Sequence, residues 1–204
     1  FLYAKLYSGT STADRVLREV VLPVAQRAMK SGAADHWHFV RFGDPDWHVR
    51  VRFHGDPGRL LGQVFVDLRD AVEPHRKEGA VYRLELDTYH REVERYGGPA
   101  GMLLSERVFH VDSEAAIGIV DQIAGDEGLD ARWRLAMVGM DMLLDDLSFD
   151  LERKLSLLER IRDSFRAEFS ASGPLEEQIG QKFREGRAIL EVMLSPDQRQ
   201  RLPI

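Results

Sequence analysis

Hydrophobic and polar residues alternate in four stretches of the first half of the chain and recur at helical spacing between them. FLYAKLY (1–7) sets Leu2, Ala4 and Leu6 on one side and Tyr3, Lys5 and Tyr7 on the other, a strand pattern. GTSTAD then offers N-cap chemistry, and Leu17, Val20, Val21, Val24 and Ala28 recur every three or four residues up to Ser31-Gly32. Pro23 inside that helix predicts a kink. HWHFVRF (36–42), a GDPD turn and WHVRVRFH (47–54) predict a hairpin. A second helix is predicted from Pro57 to Val72 on the stripe Leu60, Leu61, Val64, Phe65 and Leu68, and AVYRLELD (80–87) alternates again.

The order β-α-β-β-α-β predicts an α+β fold, a ferredoxin-like antiparallel sheet with two helices on one face. Its third strand lies in the middle of such a sheet. Trp47, Val49, Val51 and Phe53 then face the helices, and His48, Arg50, Arg52 and His54 face away. The same outward face collects Tyr3, Lys5 and Tyr7 from the first strand and Arg83, Glu85 and Asp87 from the last.

After residue 88 the pattern changes. HREVERYGGPAGM (90–102) reads as a helical turn and a loop; helices follow over 105–125, 131–147 and 149–169, and a last one starts at SGPLEE. The third of these carries the stripe Leu151, Leu155, Leu158, Ile161, Phe165 and Phe169. Residues 1–88 thus form the ferredoxin-like part with the arginine strand. Residues 89–204 form the REVERYGG segment and a C-terminal helical annex covering the open face of the sheet, within the same domain.

Net charge is −6 over 204 residues, which argues against nucleic-acid binding through general electrostatics but leaves room for a local cationic pocket. The absence of cysteine excludes disulfides, thiolate nucleophiles and cysteine-held metals and fits a cytoplasmic protein. No apolar run is long enough for a membrane span. A chain that begins at Phe1, with a strand already under way, is expected to be a segment of something longer.

The His48/Arg50/Arg52/His54 face admits two readings. Exposed antiparallel faces are commonly polar, yet like charges on alternate positions repel, and a solvated face usually mixes signs. In the second segment, Arg91, Glu92, Glu94 and Arg95 read first as helix-surface ion pairs, whereas Tyr96-Gly97-Gly98-Pro99 suggests backbone held close to something. His36 and His38 project from one strand face, but with no third ligand in view no metal is expected. No glycine-rich phosphate loop, nucleophile elbow or dinucleotide fingerprint is present, and no cofactor is expected.

WHFVRFGDPDWHVRVRFHGDPGRL followed by YHREVERYGGPAGMLLSERVFHVDSEA resembles the C-terminal domain of lantibiotic dehydratases, a domain shared with thiopeptide-type bacteriocin biosynthesis proteins. The resemblance runs from Phe1 to about residue 195. It implies a lyase that removes glutamate from glutamylated Ser or Thr of a ribosomally made precursor peptide, leaving dehydroalanine or dehydrobutyrine. The glutamate is added by a domain that uses glutamyl-tRNA, on the same chain or on a separate protein; a homodimer is compatible with this picture. Arg50 and Arg52 fall on the family's HxRxR-type strand and Arg91 on its Y-x-R-E-x-x-R-Y-G-G segment, which makes these three the implied catalytic residues. Arg41, His48, Arg95 and Tyr96, in the same motifs, are the implied substrate-binding residues. The family's S-x-x-H-M-x-x-N-R-L segment, whose histidine serves elimination, has no counterpart in LSPDQRQRLPI, so the general base is unassigned; His48, His54 and His90 are the histidines available.

Two other functions compete. Stand-alone relatives join two dehydroalanines in a formal [4+2] cycloaddition; they hold no glutamate, so intact HxRxR and REVERYGG motifs favour elimination. A non-catalytic module that binds the precursor peptide is the third reading. RNA binding by a ferredoxin-like sheet would want exposed aromatics on the central strands, where this sequence has arginines and histidines.

Overall fold

β1 (Leu2–Tyr7) buries Leu2, Ala4 and Leu6 against the helices, as the alternation predicts. Tyr3 and Tyr7, on its other face, are buried as well. In the computed structural model, which describes residues 1–123, 125–169 and 173–195 (of 125–130 the backbone only), β1 is followed by α1. This helix consists of Ala13–Val16, a π-helical stretch Leu17–Val21 and Leu22–Ser31. Pro23 sits in the first turn after the π-helical stretch. The wider turn before it accommodates the proline ring and its missing N–H. Gly32, at φ 68°, closes the helix in the left-handed conformation.

β2 (His36–Phe42) and β3 (His48–His54) form the predicted hairpin, with Trp37 opposite Phe53 and Phe42 opposite His48. Pairing ends at that last rung. Trp47 therefore lies outside the ladder and is 55% exposed, not on the helix-covered face where alternation alone puts it. α2 is built of Pro57–Arg59, a π-helical Leu60–Val64 and Phe65–Lys77, the Asp56 carboxylate accepting the Arg59 N–H as N-cap. β4 (Arg83–Asp87) completes a sheet of order β2-β3-β1-β4 in which every neighbouring pair is antiparallel. This is the ferredoxin-like order, with β3 and β1 central. Val49, Val51, Phe53, Leu6 and Trp37 share one core with Val16, Val20, Val24, Leu68 and Val72 of the two helices.

α3 (Gly98–Gln122) starts at the Tyr96-Gly97-Gly98 turn. Gly97 and Gly98 have φ of 79° and 89°, and a Cβ at either would meet nothing within 4 Å, so the pair serves the turn and not a close approach. The close approach belongs to Gly101, where a Cβ would stand 1.9 Å from the Tyr96 carbonyl oxygen. α3 runs along the open edge of β2. Ser113 Oγ accepts the Phe39 N–H at 3.1 Å, and Glu114 accepts the indole N–H of Trp37 at 2.5 Å. The edge strand is thereby covered and its free donor satisfied.

The chain separates into two units, Phe1–Ala124 and Gly125–Ile204. The second is helical: α4 (Gly125–Asp146), α5 (Leu151–Glu168) and α6 (Gly173–Leu194). Asp150 caps α5 by accepting the Arg153 N–H, and Lys154 pairs with both Asp141 and Asp145 at 2.6 Å, joining α4 to α5. The tail after Ser195, including most of LSPDQRQRLPI, lies outside the described residues.

Candidate functional site

The pairing register arranges the sheet's outward face in rows. His38, Arg52, Tyr3 and Asp87 form one row across the four strands; Val40, Arg50, Lys5 and Glu85 form the next; Phe42, His48, Tyr7 and Arg83 form the third. The face does mix signs, with its acids confined to β4. Lys5 pairs with Asp87, Arg83 Nε lies 3.2 Å from Glu85, and the Tyr7 hydroxyl donates to Glu85 at 3.0 Å. Those contacts occupy the acids with the cations of β1 and β4. The arginines of β3 are left without a carboxylate partner among the described residues.

Each of these arginines is held by aromatic rings. The Arg52 guanidinium lies 4.4 Å from the Tyr3 ring centre and 4.6 Å from that of Tyr89, and its buried Nε has no hydrogen-bond partner. Burial pulls Arg52 below the usual arginine value, an effect opposed by the phenols of Tyr3 and Tyr89. Arg50 stacks on Phe42 at 3.4 Å and donates from Nε to His48 Nε2 at 2.9 Å. His48 Nδ1 faces the Asp46 carbonyl at 2.7 Å, so it carries the proton and leaves Nε2 to accept from Arg50. His48 is thus a buried support that aims Arg50. Cation–π stacking of this kind contributes about 0.5–2 kcal/mol and leaves the terminal N–H groups free to bind an anion.

A cavity of about 420 Å³ opens above the two arginines, bounded by Lys5, His38, Tyr89, Tyr96, Phe109 and Asp112. Burial and the neighbouring Arg52 push the His38 imidazole down to about 3, so it is neutral at physiological pH. A base that weak suits hydrogen bonding better than abstraction of a carbon-bound proton.

Tyr89 links the cavity to a buried acid. Burial and the facing Glu106 carboxylate push its phenol up to about 12. Glu106, only 1% exposed, also receives both arms of Arg91, from Nε at 2.8 Å and Nη2 at 2.6 Å. Because the folded-state value of Tyr89 exceeds the ordinary 10, its contribution to stability is complete below pH 10 and is lost as pH rises toward 12. Alkaline absorbance titration is expected to show a tyrosinate that forms only near pH 12, and Tyr89→Phe should remove that late step. An alkaline titration of the parent that Tyr89→Phe leaves unchanged near pH 12 would contradict the burial of Tyr89.

The seven residues implied from sequence therefore separate. Arg50, Arg52, His48 and Tyr96 converge on the cavity or directly support it; Tyr96 packs edge-on to Phe109 at 5.4 Å. Arg91 lies one layer back, its guanidinium engaged by Glu106. Arg95 is 73% exposed and pairs with Glu92. Arg41 is opposite Val49, hence on the helix-covered side of the sheet, where it pairs with Asp14 of α1. Tyr89 and Glu106 were not singled out from the sequence, and His38 was considered there only as a metal ligand beside His36. His38 and Tyr89 could have been found from the register and from the tyrosine that opens the Y-x-R-E segment; Glu106 carried no such signal.

With that geometry in hand, the relatives of the chain are informative. Residues 2–202 match the family described as lantibiotic biosynthesis dehydratase C-term. The chain is 26% identical to subtilin biosynthesis protein SpaB of Bacillus subtilis, over 83% of this chain and 16% of SpaB. It is 29% identical to nisin biosynthesis protein NisB of Lactococcus lactis subsp. lactis, over 56% of this chain and 11% of NisB. The tRNA-dependent lantibiotic dehydratase MibB from Microbispora sp. 107891 superimposes with a TM-score of 0.55 at 35% identity, covering 61% of this chain and 12% of MibB. TsrL superimposes with a TM-score of 0.65 over 96% of this chain and 60% of its own, at 16% identity, a likeness of fold. The chain thus spans a small fraction of SpaB, NisB and MibB.

Proposed function

The chain belongs to the lantibiotic biosynthesis dehydratase C-terminal family, and from that premise we propose that it removes glutamate from glutamylated Ser or Thr side chains of a precursor peptide. The supporting observation is the pair Arg50 and Arg52 beneath the 420 Å³ cavity, stacked on aromatic rings and without a carboxylate of their own among the described residues.

The chemistry asks for such a pair. A base takes the α-proton of the glutamylated residue, the Cβ–O ester bond breaks, and glutamate leaves with a new carboxylate. Negative charge therefore grows on the leaving group as the bond breaks, so a guanidinium fork placed there stabilises the transition state more than the ester ground state. The second carboxylate of glutamate is charged throughout and needs its own cation, and Arg50 and Arg52 on alternate positions of β3 provide one for each. Arg91 acts through Glu106 and Tyr89, which holds the face of Arg52. Glutamate itself is supplied by a glutamylating domain or protein that uses glutamyl-tRNA.

The test is incubation of the chain with a glutamylated precursor peptide, followed by mass spectrometry. Loss of the glutamyl group with formation of the dehydro residue is expected. Retention of the adduct, also by a chain extended beyond residue 204, would exclude elimination. Offering a peptide that already contains two dehydroalanines in parallel distinguishes cycloaddition, which consumes them without release of glutamate.

A further inference from the structure

Asp35, His36 and His54 form a cluster on the same sheet face, one rung beyond His38 and Arg52. His36 and His54 face each other across the hairpin in the pairing register, and their rings stack with centres 4.5 Å apart at 22°. Both turn the same ring nitrogen to one carboxylate. His36 Nδ1 lies 2.5 Å and His54 Nδ1 2.7 Å from Asp35 Oδ1, and His54 Nδ1 is also 2.9 Å from Oδ2. One donor atom from each residue falls within a 4.8 Å span. In the sequence His36 and His38 shared a strand face with no third ligand in view; in the fold His36 is joined instead by His54 of the facing strand and by Asp35, the residue just before β2.

We propose that Asp35, His36 and His54 form a binding site for a divalent transition-metal cation such as Zn²⁺, through two imidazole nitrogens and one carboxylate oxygen. Two histidines and a carboxylate are a donor set that suits zinc and its neighbours, whereas calcium and magnesium prefer oxygen throughout. Zinc bonds of about 2.0–2.2 Å place tetrahedral ligands roughly 3.4 Å apart. The Nδ1–carboxylate separations are somewhat shorter than that, so small side-chain rotations open the site and the cation replaces the shared protons. Asp35 and His54 side chains are 62% and 42% exposed, which gives an ion a path in and leaves a coordination position for water or another ligand. The Phe1 ring lies 4.8 Å from His54 and 4.9 Å from Tyr89, so the site adjoins the ring that holds Arg52. A bound dication would add positive charge at the end of the arginine row. The site stands independently of the elimination reading.

The chain, freed of metal by chelator, is titrated calorimetrically with ZnCl₂. One ion per chain is expected, with an affinity tighter than about 10 μM. His54→Ala and Asp35→Asn, both at solvent-accessible positions, should each weaken binding at least tenfold, while His90→Ala, at an exposed histidine outside the Asp35/His36/His54 cluster, should bind like the parent. Co²⁺ should give visible d–d absorption that the first two variants abolish, and circular dichroism checks that they remain folded. Absence of saturable binding, or equal affinity in all three variants, would overturn the site.

Discussion

Arg52→Ala is expected to abolish release of glutamate while leaving the glutamylated peptide intact, so that the adduct accumulates in the mass spectrum. Removal of one well-placed charge-stabilising donor typically costs about 100-fold or more in rate, roughly 2.7 kcal/mol of transition-state stabilisation. Arg52→Lys should not restore the activity. Lysine keeps the charge but loses the planar fork and the stacking between Tyr3 and Tyr89, at 4.4 and 4.6 Å, that fixes its direction. The informative comparison is Arg41→Ala. Arg41 shares the motif but pairs with Asp14 on the other side of the sheet, and its loss should leave elimination within about twofold. Equal losses in the two variants would mean that the outward face of β3 is not the site, and unchanged dehydration by the full assembly carrying Arg52→Ala would favour a module that only binds peptide.

The largest effect on stability is expected at the pair of Arg91 and Glu106. Arg91→Ala leaves the Glu106 carboxylate, 1% exposed, without the two bonds that compensate its burial. Breaking a buried pair from one side costs about 3–5 kcal/mol. Arg91 is 37% exposed, so water reaches part of the gap and about 2 kcal/mol is the expected loss. For a unit of this size that lowers the thermal midpoint by roughly 5–10 °C. Glu106→Leu combined with Arg91→Met should recover much of the loss, because it removes both charges together. Arg95→Ala, at an exposed pair with Glu92 in the same motif, should leave the midpoint unchanged. A similar midpoint for Arg91→Ala and Arg95→Ala would show that the bidentate contact does not anchor the segment. If Arg91→Ala keeps the fold at low temperature but slows elimination, its role is to position Arg52 through Glu106 and Tyr89.

Local pattern determined much of this protein. The period of two in FLYAKLY and HVRVRFH and the helical period between them are set by which residues must leave water, so the strands, their inward faces and the β-α-β-β-α-β order could be read directly. The shared outward face of Arg50, Arg52, Tyr3 and Lys5 followed from the same alternation. Trp47 marks its limit: alternation extends past the last hydrogen-bonded rung, and only the pairing of Phe42 with His48 shows where the ladder stops. Charge, unlike hydrophobic period, carries no partner in its spacing. Arg41, Arg50, Arg52, Arg91 and Arg95 are alike in sequence, yet two lie beneath a cavity, one grips a buried glutamate, one faces solvent and one faces the helices. Tertiary structure decided among them, because whether a guanidinium is free to bind a ligand depends on which carboxylates other segments bring within a few ångströms. The same holds for Asp35, His36 and His54, whose nitrogens and oxygen converge because the antiparallel register sets His54 opposite His36, beside Asp35.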